Sequence, residues 1–278
     1  MTSSHPRLVD PSWLSEHLGD PSIRIVDATV HLRFDEDGAH TESGRETYQA
    51  AHVPGATFAD QLLDLTEHDG EAPFAAARSE HFAEVMGGLG IGNEHTVVVY
   101  DHVNGIWATR LWWQLGLEGH DDVVVLDGGL RAWQDAGHPV ATGGAVYPAT
   151  TFTPHRRAQR AVSTADVEAA TQDPSVLLIN SLARGSFAEA RIPGSVNVPF
   201  DELVDEQGRL RGADELRPLF DSVGALDPTV SPVTYCGGGI AATAVAFALQ
   251  GLGRGDVAIY DGSMTAWTSD ASRPLERG

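Results

Sequence analysis

The chain has 278 residues, 42% of them hydrophobic and 21% charged, proportions that suit a globular protein with room for two cores. A formal net charge of -21 argues against nucleic acid and membrane surfaces as partners, because both select basic patches. No apolar run approaches the ~20 residues needed to cross a bilayer, residues 1–6 carry no basic-then-apolar leader, and one cysteine forms no internal disulfide, so a cytoplasmic protein is expected.

Taken in chain order, buried-strand patterns lie at 23–27, 96–100 and 123–126, interleaved with helical patterns near 80–88, 105–115 and 130–136. A stretch rich in Gly, Pro, Thr and Arg, 144–160, has little periodicity and reads as a linker. Beyond it, strands are expected at 176–179, 232–235 and 257–260, and helices at 214–223, 240–250 and 263–267. Such alternation predicts an α/β fold, with mostly parallel sheets carrying helices on both faces and ligands bound beyond the carboxyl ends of the strands.

The two halves repeat one another. His52-Val53-Pro54-Gly55-Ala56 is answered by Arg191-Ile192-Pro193-Gly194-Ser195, and Val97-Val98-Val99-Tyr100-Asp101 by Val233-Thr234-Tyr235-Cys236. Leu126-Asp127-Gly128-Gly129-Leu130-Arg131-Ala132-Trp133 is answered by Tyr260-Asp261-Gly262-Ser263-Met264-Thr265-Ala266-Trp267. Three matched segments in one order indicate tandem domains, expected at 1–143 and 161–278 with 144–160 between them. Asp127 and Asp261 are expected to brace turns, and Trp133 and Trp267 to pack in cores. Asp27 and Asn180, each ending a strand, are expected to bond local turns.

The most informative residue is Cys236. It follows a strand pattern and opens the run Gly237-Gly238-Gly239-Ile240-Ala241, which leads into a helical pattern. Glycines let the backbone curl so that successive N–H groups converge. A helix start adds partial positive charge. Both favour an anion, and the thiolate is the reactive form of cysteine. The amides of Gly237, Gly238, Gly239, Ile240 and Ala241 are expected to surround the sulfur. The alternative is a buried structural thiol.

These ordered, paired segments with one cysteine turn resemble the rhodanese family of tandem-domain thiosulfate and 3-mercaptopyruvate sulfurtransferases. The resemblance implies two rhodanese-like domains, the first catalytically silent, with Asp101 where a cysteine would stand. It implies that Cys236 takes sulfane sulfur from thiosulfate or 3-mercaptopyruvate as a persulfide. The sulfur then passes to cyanide, a small thiol or a thioredoxin-like protein, with ping-pong kinetics. No cofactor or metal is expected.

The turn lacks basic residues and is similar to the mercaptopyruvate type, although Gly238 stands where that type carries serine. In Asn180-Ser181-Leu182-Ala183-Arg184-Gly185-Ser186-Phe187, Leu182 and Ser186 hold positions where the resemblance implies arginines. The donor therefore stays open between the two. Arg184, Arg191 and Arg110 are the candidate donor-binding residues, since guanidinium grips planar anions at two points. His68 is the candidate general acid, with Asp60 or Asp64 to orient it. A non-catalytic persulfide carrier or protein-docking module is the alternative function. A phosphatase, which shares this type of fold, is disfavoured because Ala242 holds the position where such enzymes need arginine.

Overall fold

Runs of β-branched residues dictate the centre of each half. Thr96–Tyr100 and Val123–Leu126 are almost continuously apolar and buried, the pattern of parallel strands covered on both faces. The computed structural model describes residues 8–35, 38–70 and 72–278. The stretch 1–6 lies outside them. No helix among the described residues is long and apolar enough to cross a membrane.

The chain divides into two compact units. The first comprises residues 1–66, 76–156 and 206–209, and the second comprises 67–75, 157–205 and 210–278. In the first, the elements run β1 (Leu8–Val9), α1 (Pro11–Glu16), β2 (Ile23–Asp27), β3 (Val30–Asp35), β4 (Gly38–Ser43), α2 (Arg45–Ala50), β5 (Ala56–Phe58), α3 (Ser79–Gly88), β6 (Thr96–Tyr100), α4 (Ile106–Leu117), β7 (Val123–Leu126) and α5 (Gly129–Asp135). In the second they run β8 (Ala161–Val162), α6 (Thr164–Ala170), β9 (Val176–Asn180), α7 (Arg184–Glu189), β10 (Val196–Asn197), α8 (Ala213–Ser222), β11 (Ser231–Tyr235), α9 (Ala241–Gly251), β12 (Ala258–Tyr260) and α10 (Ser263–Thr268).

Each unit is built on a five-stranded parallel sheet, ordered β5-β2-β6-β7-β1 in the first and β10-β9-β11-β12-β8 in the second. The orders match strand for strand. Neighbouring residues of β9 feed different cores, Leu178 packing with Val233 and Trp267, and Ile179 with Phe220 and Val245. Both faces of that sheet are therefore covered by helices. α9 is apolar all round and buried from Ala242 to Leu249, as a helix enclosed in a core must be.

The duplication extends to individual bonds. The N–H of Val53 donates to the Tyr100 hydroxyl at 3.1 Å, and that of Ile192 to the Tyr235 hydroxyl at 3.1 Å. The indoles of Trp133 and Trp267, both buried, donate to the carbonyls of Pro139 and Pro274. A hairpin of β3 and β4, pairing Val30 with Ser43, has no counterpart in the matched segments. The stretch read as a linker stays with the first unit as far as Arg156. There the Tyr147 hydroxyl donates to Gly55, Phe152 packs on Phe82, and Arg156 reaches Glu118 at 2.5 Å.

Each unit also closes on its own tail. His52 and Ala141 exchange main-chain bonds in the first, and Arg191 and Glu276 do so in the second. There the Glu276 carboxylate also accepts from the Gly194 N–H at 3.1 Å and from the Arg191 guanidinium at 2.5 Å. These bonds, the Gly194 amide first, hold Glu276 below the usual carboxylate range. The folded state thus binds this proton less readily than the unfolded chain. The resulting stability is present above the unfolded pKa and is lost as pH falls through the lower, folded one. We expect Glu276→Gln to lower the melting temperature at neutral pH, with the difference from wild type closing below about pH 4. Thermal unfolding of both proteins across that range tests this.

Candidate active site

The carboxyl end of the central strand carries the same construction in both units. In the first, β6 ends at Tyr100 and Asp101 opens the turn into α4. Oδ1 of Asp101 accepts from the N–H groups of Val103 (2.8 Å) and Gly105 (3.0 Å), and Oδ2 from those of Trp107 (3.1 Å) and Ala108 (3.0 Å). Four main-chain donors thus converge on one buried carboxylate. Hydrogen bonds to a charged acceptor are the stronger kind, and a helix start favours negative charge. The first-unit turn is an anion nest occupied by its own side chain.

In the second unit, β11 ends at Tyr235 and Cys236 opens the turn into α9. The Cys236 carbonyl accepts from Met264 N–H at 3.0 Å, as the Asp101 carbonyl accepts from Leu130 N–H at 3.2 Å. The Cys236 N–H donates to the Ser263 hydroxyl at 3.0 Å, and that hydroxyl donates to the Tyr260 carbonyl at 2.9 Å. The Gly237 carbonyl accepts from both the N–H and the hydroxyl of Thr265 at 2.9 Å. The amides of Gly237, Gly238, Ile240 and Ala241 donate to no protein acceptor among the described residues.

Two glycines in or against these turns have steric reasons. Gly239 has φ of +85°, and a Cβ there would lie 2.5 Å from the Asp261 carbonyl oxygen. In the first unit, a Cβ on Gly129 would collide with the Asp101 carbonyl. Its counterpart Ser263 carries a side chain at φ of +50°, the one non-glycine residue with positive φ among those described. A side chain in this conformation costs on the order of 1 kcal/mol. It is held where its hydroxyl meets the Cys236 amide. Sequence reading passed over Ser263, although serine replacing the second glycine of the first repeat's Asp-Gly-Gly was a visible signal.

Cys236 is 3% exposed, whereas Gly237 and Gly238 are half-buried. A Cβ built on Gly237 would lie 3.9 Å from Leu182, and one on Gly238 3.0 Å from the ring of Phe74. Phe74 belongs to 67–75, the segment grouped with the cysteine-bearing unit, and nothing in its local sequence marked it. Tyr235, which precedes the cysteine, donates to the Ser195 hydroxyl at 2.8 Å. Burial pushes its phenol above the ordinary range.

The remaining candidates are spread through the fold. Arg184 is exposed at the start of α7 and forms a two-point pair with Glu202, Nε to Oε1 at 2.5 Å and Nη2 to Oε2 at 2.7 Å. This pairing raises its pKa. Arg191 is nearly buried, bonded to Glu276 and the Gly278 carbonyl with its guanidinium over Phe187. Arg110 is buried in α4 of the first unit, 4.5 Å over Trp113. His68 is exposed within 67–75. Asp60 accepts from Ser43 and from the amides of Leu62 and Leu63, and Asp64 pairs with Arg45. Asn180 caps its turn through Leu182 N–H at 2.8 Å, while Asp27 receives Thr29 and His102. Among the described residues, no group of three or more His, Cys, Asp or Glu is arranged to hold a metal ion.

A model of the rhodanese-like domain matches the chain twice, at residues 10–136 and 163–270. The chain is 32% identical to 3-mercaptopyruvate sulfurtransferase of Escherichia coli K12 over 280 residues, covering 96% of this chain and 97% of that protein. It is also 32% identical to thiosulfate sulfurtransferase of Rattus norvegicus over 281 residues, covering 94% and 91%. The crystal structure of SseA from Escherichia coli, described with the rhodanese fold of 3-mercaptopyruvate sulfotransferases, superposes with a TM-score of 0.84 at 33% identity. It covers 93% of this chain and 99% of that one.

The nest around Asp101 gives a test independent of activity. Asp101→Ala removes the acceptor of four amides. We expect it to destabilise the protein by about 2–4 kcal/mol in chemical denaturation, and Asp101→Asn, which keeps one acceptor oxygen, by less.

Proposed function

The chain belongs to the rhodanese family, and on that premise we propose that it is a sulfurtransferase carrying sulfur as a persulfide on Cys236. One observation carries the reading. The first-unit turn binds an anion through four amides, and the equivalent turn of the second unit begins with the chain's one cysteine and has amides without protein acceptors. An anionic sulfur is the group that suits such a turn.

The Cys236 thiolate attacks the outer sulfur of the donor. With thiosulfate, a new S–S bond forms, the donor's S–S bond breaks, and the electron pair leaves on sulfite. With 3-mercaptopyruvate, the C–S bond breaks and the pair leaves on the enolate of pyruvate, which takes up a proton. In the second half, a thiophilic acceptor such as cyanide, a small thiol or a thioredoxin-like thiol bonds the outer sulfur. The S–S bond breaks and its pair returns to Cys236. The amides of Gly237, Gly238, Gly239, Ile240 and Ala241 stabilise the charge on the persulfide.

Arg184 is the donor-binding candidate best supported. It starts α7 just after β9, the strand beside the one that leads into Cys236, and its pair with Glu202 is exposed and so weakened by solvent. Arg191 and Arg110 are engaged in the tail clamp and against Trp113, which supports structural parts for both. His68 is supported as proton source by belonging to the cysteine-bearing unit. A lone cysteine that must stay reduced suits the cytoplasm.

Mass spectrometry after mixing with either donor tests the reading. We expect one added sulfur on Cys236, removed by cyanide and absent in Cys236→Ser. An unmodified wild-type chain with both donors refutes it. His68→Gln is expected to lower kcat about tenfold or more with 3-mercaptopyruvate, whose enolate needs a proton. It should leave the thiosulfate rate unchanged, because sulfite leaves as a stable anion. Steady-state rates with cyanide as acceptor measure both.

A further inference from the structure

We propose that Phe74 is a specificity-determining residue. With Leu182 it forms an apolar rim beside Cys236 that favours a donor whose sulfur is bonded to carbon over a wholly inorganic sulfur anion. The inference rests on the persulfide reading above. Within the turn, Cys236, Gly239 and Ile240 are buried while Gly237 and Gly238 are partly open, so a donor reaches the sulfur past these two glycines. Phe74 and Leu182, both half-buried, border them: Cδ2 and Cε2 of Phe74 lie 3.0 and 3.4 Å from where a Cβ on Gly238 would be, and Cδ2 of Leu182 lies 3.9 Å from one on Gly237.

This rim discriminates by desolvation. Thiosulfate is a strongly hydrated dianion without carbon. Laid against a phenyl ring and an isobutyl group, it gives up water and receives no compensating donor from either. Arg184, two residues beyond Leu182, already meets a carboxylate. 3-Mercaptopyruvate has one carboxylate, and the methylene next to its sulfur can pack on the ring. The chain's net charge of -21 repels the dianion twice as strongly as the monoanion. The ring also explains position 238. A serine there would meet Phe74 at a distance tighter than ordinary van der Waals contact, so the ring and the glycine form a coupled pair.

Steady-state rates with cyanide as acceptor, using 3-mercaptopyruvate and thiosulfate as donors, test the rim in wild type, Phe74→Ala, Phe74→Leu and Leu182→Arg. Persulfide on Cys236 is read in parallel by mass spectrometry. We expect wild type to have the higher kcat/KM with 3-mercaptopyruvate. Phe74→Ala should lower that value about tenfold, mainly through KM, while raising kcat/KM for thiosulfate about twofold or more as the desolvating ring is removed. Phe74→Leu should restore most of the loss, and Leu182→Arg should raise kcat/KM for thiosulfate about tenfold. A wild-type preference for thiosulfate overturns the proposal, as does an equal loss with both donors in Phe74→Ala. If persulfide forms but the donor ratio is the same in all four proteins, the rim alone falls. If wild type takes up no sulfur from either donor, the persulfide reading falls and the rim with it.

Discussion

A helix that starts directly after a strand leaves main-chain N–H groups without partners, and the fold of each unit depends on how those groups are satisfied. In the first unit Asp101 supplies both carboxylate oxygens, which fixes the turn from His102 to Gly105 and the first residues of α4. The turn must then press so closely on the next crossover that Gly129 has no room for a side chain. In the second unit a sulfur stands at the head of the turn, and the corresponding crossover residue is Ser263, whose hydroxyl receives the Cys236 amide. One backbone solution therefore serves two ends. With a carboxylate in place it is structure, and on the proposed reading the cysteine makes it a place for chemistry.

An acidic chain that handles anions depends on that backbone charge. Arg184 and Arg191, the cations of the second unit singled out for donor binding, face Glu202 and Glu276. On the proposed reading, peptide dipoles then share the attraction for the donor with Arg184. The dipoles act over short range and do not titrate, so the surface can stay strongly negative without removing the pull at the sulfur itself.

Much of this is legible in the amino-acid sequence. The central strands β6, β7, β9 and β11 are dense in β-branched and aliphatic residues, the helices α3 and α8 are long enough to show a period, and α4 and α9 stand out as long apolar runs. Their positions were legible to within two or three residues. The two-residue strands β1, β8 and β10 were not, because their bonds come from a neighbour and two residues carry no pattern. The six-residue helices α2 and α7 are too short to be periodic. At the site, Cys236 and its glycines declared themselves by local composition. Phe74 did not, since its meaning lies in a contact with a residue far along the chain. The partners of Arg184 and Arg191 were hidden for the same reason. A charge in a sequence says what it could bind, and only the folded chain says what it has bound already.

The segment 67–75 is grouped with the cysteine-bearing unit although it is encoded before all the rest of that unit. On a ribosome it emerges long before the turn that Phe74 borders. At about 5–20 residues per second, the nascent strip waits roughly eight to thirty seconds for its neighbour. For that interval a phenyl ring destined for the mouth of the site has nothing of its own unit to rest against. The order of translation thus makes the rim one of the last features of the molecule to mature.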